Sequence, residues 1–216
     1  GGWTAPDRAV DRAWVTHGHA DHARGGHGQT VATPATLAIM ELRYATKEGA
    51  TPVEYGETIS LPGGVEATYI PAGHVLGSAQ ILLEHAGERV VVTGDYKRRA
   101  DPTCPPFQVT PCDIFITEAT FGLPVFCHPP IEEEMAKLLE RLAAHPDRCV
   151  LVGAYALGKA QRVIAELRRA GHMDPIYLHG AMEKMCRLYE EHGVDLGELR
   201  LVADYTKDDM RGAVVV

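Results

Sequence analysis

The chain has 216 residues, of which 45% are hydrophobic and 23% are charged, with a formal net charge of −8 at pH 7. This length fits one large domain or one domain with part of a second, and the composition is that of a soluble globular protein without an apolar run of the ~20 residues that span a bilayer. We therefore expect no membrane partner, and the acidic balance argues mildly against nucleic acid, since phosphate binding usually needs a basic surface.

The first part of the chain is predicted to be mainly strands, because Val- and Ile-rich runs alternate with Gly and Pro. The predicted strands are residues 9–16, 30–33, 65–70, 80–84, 89–93 and 113–117. One helix is predicted from Pro34 to about Arg43, with Thr33 as its N-cap and Pro34 at its first position. Gly87-Glu88 lies between two predicted strands and indicates a hairpin turn.

The pattern changes near residues 124–130, and beyond this point predicted helices alternate with predicted strands. The helices are residues 131–144, 158–170 and 181–192, and the strands are 149–152, 175–178 and 214–216. The strands at 149–152 and 214–216 are interpreted as buried. This alternation predicts a parallel sheet. We therefore expect an α/β protein with two domains, residues 1–125 and residues 126–216.

Four metal-capable side chains fall within six residues directly after the first predicted strand: His17, His19, Asp21 and His22. Neutral imidazole and carboxylate are ligands that zinc prefers. Alternation along an extended segment puts His17 and His19 on the same side, and Asp21 and His22 follow on a turn. A solvated polar loop is the alternative interpretation, but this density of ligands favours a metal site.

Three further polar side chains each follow a predicted strand. His74 lies between Gly73 and a turn of small residues, where tight backbone can present a ligand. Asp95 follows Gly94, and its two carboxylate oxygens can each bind one metal ion. Glu118 can orient a histidine or assist proton transfer, although a strand-end carboxylate can equally cap backbone N–H groups.

This set of residues resembles the metallo-β-lactamase superfamily, through His17-x-His19-x-Asp21-His22 followed by His74 and Asp95. The motifs at 73–78, 94–96 and 117–122 are similar to those of its nucleic-acid-processing branch, which carries an inserted β-CASP domain. Residues 154–161 make the chain most similar to the bacterial ligase-associated DNA exonucleases, also called mRNA 3′-end processing factor-like proteins.

The resemblance implies an α/β fold, a metallo-β-lactamase αββα sandwich with an inserted β-CASP-like parallel α/β domain. Because the chain begins without Met and ends in an apolar run, we expect a fragment. The resemblance implies that the first hairpin of the sandwich lies before Gly1 and that the remaining part lies beyond Val216. The five cysteines are odd in number and form no CxxC pair. That pattern argues against a disulfide framework and favours a cytoplasmic location.

The resemblance also implies two zinc ions, with manganese as an alternative metal, held by six residues. The ligands are His17, His19 and His74 for the first ion and Asp21 and His22 for the second, with Asp95 bridging. The catalytic residues would be Asp21, Asp95 and Glu118, the last matching the acidic position of the first β-CASP motif. The family needs a further histidine ligand, which we expect beyond Val216; His179 is the best candidate inside the chain.

The implied activity is a nuclease that cleaves phosphodiester bonds of DNA or RNA through a hydroxide shared by the two zinc ions. Its partners would be nucleic acid, single-stranded or at an end, and by family resemblance a DNA ligase or helicase. Two alternatives remain: a thioesterase or lactonase of the same fold, and a catalytically inactive scaffold subunit. Lys97, Lys159 and Arg162 are candidate phosphate contacts, with exposed surface charge as the favoured interpretation.

Overall fold

The computed structural model describes residues 10–45 and 49–216. The chain forms two compact units, Gly1–Ala119 and Thr120–Val216. The strand predicted at 9–16 begins outside the described residues, and its regular part covers two residues. The described residues include no helix that is long and apolar enough to cross a membrane.

The described part of the first unit consists of strands and one helix. In chain order these are β1 (Ala13–Trp14), β2 (Thr30–Ala32), α1 (Pro34–Tyr44), β3 (Ala50–Pro52), β4 (Thr58–Leu61), β5 (Val65–Pro71), β6 (Ala79–His85), β7 (Glu88–Val92) and β8 (Ile114–Ile116). Strands β1, β2 and β3 form a parallel sheet. Strands β4 to β8 form a second sheet in chain order, antiparallel except for the parallel pair β7 and β8.

The two sheets of the first unit pack against each other. Val31 from β2, Tyr69 from β5 and Ile81 from β6 share one buried cluster, and Trp14 from β1 packs on it. Helix α1 covers the opposite face of the three-stranded sheet, where Met40 packs with residues of the strands. Helix, sheet and sheet therefore form successive layers, and the mixed α/β fold predicted from the sequence is confirmed.

Helix α1 begins as predicted. Thr33 is the N-cap, with its side chain accepting a hydrogen bond from the Thr36 backbone N–H at 3.3 Å, and Pro34 follows at the start of the helix. Strands β3 and β4 were not predicted, because each has at most four residues and β3 ends at Pro52. A proline is compatible with β3 since this strand lies at the edge of its sheet.

The second unit contains three α-helices, one short 3₁₀ helix (Val202–Asp204) and four strands within the described residues. The α-helices and strands are α2 (Ile131–Ala144), β9 (Val150–Leu151), α3 (Lys159–Arg169), β10 (Ile176–Leu178), α4 (Gly180–Glu191), β11 (Leu199–Leu201) and β12 (Val214–Val215). The strands form one sheet in the order β11-β10-β12-β9, and every pair is parallel. The predicted parallel sheet is therefore confirmed, although β11 was not predicted.

The burial predicted for residues 149–152 is wrong. Leu151 is 74% exposed, because β9 lies at the edge of the sheet and pairs with β12 alone. Val214 of β12 is fully buried, as predicted, because β12 lies between β9 and β10. The sequence pattern indicates an apolar strand, but it does not show whether that strand lies at the edge or in the centre of its sheet.

The Tyr69 hydroxyl ties the two sheets of the first unit together. This buried side chain lies within hydrogen-bond distance of two backbone oxygens of the facing sheet, Val31 O at 2.8 Å and Val15 O at 3.1 Å. Burial raises the pKa of Tyr69 well above its ordinary value, so the hydroxyl remains a donor. Val15 precedes the His17 segment by two residues, so this contact also fixes where that segment begins.

We predict that Tyr69→Phe lowers the free energy of unfolding by about 1–3 kcal/mol, because a buried carbonyl loses its donor. Urea denaturation measures the change. Tyr155→Phe is the matched control, since Tyr155 is exposed and should give a value near zero. Equal effects of the two substitutions would contradict the role of the Tyr69 hydroxyl.

Candidate metal centre

The His17 segment leaves β1 in extended form and then turns. Val15 N donates to Val31 O at 2.9 Å, which continues the strand pairing, and both His22 N and Ala23 N donate to His19 O at 3.0 and 2.8 Å. Gly18 lies against helix α1, where a Cβ atom would be 2.4 Å from Ile39 Cγ2. The segment therefore approaches α1 more closely than any side chain at position 18 would permit.

The turn that carries His74 connects β5 to β6 and is closed by a serine. The Ser78 Oγ accepts hydrogen bonds from His74 N at 3.0 Å and from Val75 N at 3.1 Å. Gly77 O accepts from the hydroxyls of Thr33 at 2.6 Å and Thr36 at 2.9 Å. These bonds attach the turn to the N-terminus of α1, a second role for Thr33 and Thr36 that sequence reasoning missed.

Asp95 follows the end of β7. Gly94 has φ +56° and lies so close to Thr16 that a Cβ atom would be 2.5 Å from Thr16 Oγ1. Ala79 N, at the start of β6, donates to Thr16 O at 2.8 Å. Thr16 thus joins the ends of strands from both sheets, next to His17.

Four of the predicted ligands converge. One nitrogen from each of His17, His19 and His74 and one oxygen of Asp95 all lie within 4.8 Å of one another. His19 Nδ1 is 3.2 Å from His74 Nε2. Asp95 Oδ2 is 3.7 Å from Nε2 of both His17 and His74. Three imidazole nitrogens and a carboxylate oxygen form a donor set that suits a divalent transition metal.

The other oxygen of the Asp95 carboxylate faces the remaining two predicted ligands. Asp95 Oδ1 is 3.5 Å from His22 Nε2, which is in turn 3.6 Å from Asp21 Oδ2. His22 is half-buried, whereas the Asp21 side chain is largely exposed. The fold therefore brings all six predicted metal ligands to one place, on the two sides of a single carboxylate.

His17 has the environment expected of a neutral metal ligand. Its side chain is 0% exposed, and its Nε2 has no hydrogen-bond partner among the described residues. Its Nδ1 is 3.2 Å from Thr16 Oγ1. With the proton on Nδ1 and donated to Thr16, the Nε2 lone pair is directed at the cluster, and a cation there would satisfy an atom whose isolation is otherwise costly.

Burial keeps the imidazoles neutral. Burial, reinforced by His22, His74 and His19, lowers the pKa of His17 to about 2. Burial, together with His19 and Lys97, lowers the pKa of His74 to about 4. At pH 7 both side chains therefore carry free lone pairs, which is the state that binds a metal ion.

The pKa of Asp95 is raised, whereas the pKa values of His17 and His74 are lowered. Burial raises the pKa of Asp95, His22 opposes this effect, and Glu118 and Asp21 raise the pKa further. Glu118 is half-buried and is near enough to influence the pKa of both Asp95 and His74. It does not belong to the group of converging ligand atoms, so its predicted catalytic role remains a prediction.

Two further residues from the sequence analysis have defined surroundings in the structure. His179 lies in the second unit as the N-cap of α4, where its Nδ1 accepts a hydrogen bond from Ala181 N at 3.3 Å. Lys97 was interpreted as an exposed surface charge, which is wrong: its side chain is 21% exposed and forms an ion pair with Asp101. Asp101 gave no signal in the sequence because its partners become apparent only in the folded chain.

In comparison with known protein families, residues 4–153 match a family described as the metallo-beta-lactamase superfamily. Among curated proteins, a protein named Probable DNA ligase from Opitutus terrae is 32% identical over an alignment that covers 100% of this chain and 21% of that protein. Ribonuclease TTHA0252 from Thermus thermophilus is 31% identical, over 81% of this chain and 47% of the relative. Endoribonuclease YSH1 from Mycosarcoma maydis is 28% identical, over 82% of this chain and 25% of the relative.

The chain thus spans between about a fifth and a half of the length of these relatives. The family match includes the positions of all six predicted ligands, His17 to Asp95. Two of the three names describe ribonucleases, and the third describes a DNA ligase.

We predict that Gly77→Ala destabilises the first unit more than Gly56→Ala does. Both glycines have a positive φ, +77° and +79°, which costs alanine about 1–2 kcal/mol. At Gly77 the new methyl group would also lie 2.6 Å from Thr36 N, whereas nothing lies within 4 Å at Gly56. Urea denaturation should give an extra loss of about 1–3 kcal/mol for Gly77→Ala; equal losses would contradict the close packing of the His74 turn on α1.

The metal-free protein should lose stability in acid through His17. Between the ordinary pKa of 6.5 and the folded pKa of about 2, the unfolded chain binds a proton that folded His17 does not. The free energy of unfolding therefore rises with pH in this window, by about 1.4 kcal/mol per pH unit for this group. The stabilising contribution is complete above pH 6.5 and is lost as the pH falls toward 2.

Urea denaturation in the presence of a chelator, from about pH 6.5 to about pH 4, tests this dependence. His17→Gln removes the titrating group, so the wild type should lose its stability advantage over this variant as the pH falls. A difference between wild type and variant that does not change with pH would contradict a neutral, buried His17.

Proposed function

The chain belongs to the metallo-beta-lactamase superfamily, and on this basis we propose that it is the metal-binding part of a nuclease that hydrolyses phosphodiester bonds of nucleic acid. The names of its relatives support a nucleic-acid substrate: an endoribonuclease, a ribonuclease and a protein called a DNA ligase. These relatives are consistent with the β-CASP nuclease branch. The proposal includes the division into a lactamase-type domain, residues 1–125, and a β-CASP-like domain, residues 126–216.

The observation that carries the proposal is the position of the Asp95 carboxylate between two sets of ligands. Its Oδ2 faces His17 and His74 at 3.7 Å each, and its Oδ1 faces His22 at 3.5 Å. A carboxylate in this position can bridge two cations. When bound, a pair of divalent ions would supply a water of lowered pKa and positive charge for the phosphoryl oxygens.

In this proposal the six residues hold two zinc ions, with manganese as an alternative. His17, His19 and His74 bind one ion, Asp21 and His22 bind the other, and Asp95 binds both. Thr16 holds the His17 ring through Nδ1, and Ser78 fixes the backbone at His74. Hydrogen bonds to neighbouring residues thus orient His17 and His74, which favours a fixed site over a flexible one.

Glu118 is proposed to move protons in the reaction. Its influence on the pKa of both His74 and Asp95 supports a position from which it can orient His74 or accept a proton. Asp21, the most exposed of the ligands, and Asp95 complete the proposed catalytic residues. A DNA ligase or helicase as a partner, and a cytoplasmic location, also belong to the proposal.

The direct test is incubation of the full-length protein that contains this chain with end-labelled single-stranded DNA and RNA in the presence of Zn²⁺ or Mn²⁺. We expect cleavage of at least one substrate that chelator abolishes. Asp95→Ala should reduce cleavage to the level without protein, because both cation positions lose a ligand. Asp147→Ala, which removes an exposed carboxylate of the second unit, should leave cleavage unchanged.

Other outcomes would favour the alternatives. Hydrolysis of a thioester or lactone without cleavage of either nucleic acid would indicate a small-molecule hydrolase of the same fold. Absence of bound metal together with absence of any hydrolysis would indicate a scaffold protein.

A further inference from the structure

The loop of residues 96–108 begins directly after Asp95 and packs on the turn that carries His74. It contains no helix or strand, so its position depends on individual contacts. Lys97 N donates to Ala72 O at 3.0 Å, and Gln108 N donates to Pro71 O at 3.1 Å. Both ends of the loop are therefore hydrogen-bonded to the backbone that leads into His74.

The contact between the loop and the turn is very close. Gly73 has φ +70°, and a Cβ atom at this position would lie 2.5 Å from Lys97 O and 2.8 Å from Phe107 N. No methyl group would fit between the two backbones. A displacement of the loop at Lys97 or Phe107 must therefore displace Gly73 or open a gap beside it, and His74 is the next residue.

One buried carboxylate holds the loop in this form. The Asp101 side chain is 3% exposed, and its Oδ2 forms an ion pair with the Lys97 ammonium group. Its Oδ1 accepts hydrogen bonds from Thr103 N at 2.9 Å and from Thr103 Oγ1 at 2.6 Å. Asp101 thus joins the start of the loop to its middle, and both of its oxygens are satisfied without water.

A separate pair of hydrogen bonds holds the end of the loop. Gln80, buried in β6, donates from Nε2 to Pro71 O at 3.0 Å and to Gln108 O at 2.8 Å. These two bonds secure the end of the loop. Its start, next to Asp95, is held by the contacts of Lys97 and by Tyr96, whose ring lies 5.0 Å from that of Phe107 and 6.4 Å from that of Phe115. Among these contacts, Asp101 supplies the buried charge that pairs with Lys97, whose backbone packs on Gly73 next to His74.

We propose that Asp101 is a positioning residue of the metal centre, which acts through Lys97 to keep Asp95 and the His74 turn at the separation that a shared cation requires. This role rests on the proposed function, since it assumes that the His74 and Asp95 cluster binds metal. Asp101 itself is not a ligand; it belongs to no group of converging ligand atoms among the described residues.

The experiment is a titration of the metal-free chain with Co²⁺, followed by visible absorption, for wild type, Asp101→Asn and Asp113→Asn. Asn keeps the size of Asp101 but loses the charge that pairs with Lys97. We expect the dissociation constant for Co²⁺ to rise about 10- to 100-fold in Asp101→Asn, the usual effect of losing a group that orients ligands. The absorption bands, which report the coordination geometry, should shift or weaken.

Asp113→Asn is the matched control. Asp113 follows the same loop and accepts a hydrogen bond from Arg89 N at 2.8 Å, but it is exposed. This variant should bind Co²⁺ with the affinity and spectrum of the wild type. A purely structural role of Asp101 would lower the unfolding temperature of Asp101→Asn without altering the affinity or the spectrum of its folded fraction, and that result would overturn the proposal.

Lys97→Met serves as a second variant should Asp101→Asn fail to fold. It keeps the long side chain and leaves the bonds of Asp101 to Thr103 in place, so we expect a rise in the dissociation constant in the same direction. Wild-type affinity in Lys97→Met would overturn the proposal. A wild-type chain that binds no Co²⁺ would instead overturn the proposed function, and the role of Asp101 with it.

Discussion

The buried Nε2 of His17 is the constraint on which the site of the first unit depends. This nitrogen has no hydrogen-bond partner among the described residues, and leaving a buried polar atom unsatisfied costs about 1–3 kcal/mol. Protonation gives no relief, because burial and three neighbouring imidazoles lower the pKa of His17 to about 2. The ring is held toward the cluster by Thr16 on its other side, so a cation beside Asp95 is the simplest way to satisfy it.

Close packing of strand ends holds the residues of this cluster near one another. The segments that carry His17, His74 and Asp95 leave β1, β5 and β7, strands from both sheets of one sandwich. They can approach one another because Gly18, Gly77 and Gly94 lie where a side chain would collide with a neighbour. The Tyr69 hydroxyl, which joins the sheets at Val15 and Val31, keeps those ends in register. Sheet packing thus determines the ligand geometry.

The sequence predicts those features of the site that are local. His17 to His22 lie within one short segment, so their spacing alone indicates a metal site, and the start of α1 is evident from Thr33 and Pro34. Strands β3, β4 and β11 are too short to show a clear periodicity, and the exposure of Leu151 depends on which strands pair with β9.

The supporting contacts could not be predicted, because they join distant parts of the chain. Gly77 O binds two threonines of α1 about forty residues away, and Asp101 supports the turn of His74 only through the folded loop. Resemblance to a family locates ligands at motif positions but does not reveal which residues hold the ligands in place. The structure therefore identifies a second set of residues, Thr33, Thr36 and Asp101, which hold the motif residues in place.

Electron paramagnetic resonance of the chain loaded with Mn²⁺ is the most direct test of the bridging position of Asp95. Two ions per chain, about 3.5–4 Å apart on one carboxylate, should give the spectrum of an exchange-coupled pair. The isolated six-line spectrum of a single Mn²⁺ ion per chain, or the absence of bound Mn²⁺, would contradict a two-metal centre built on Asp95.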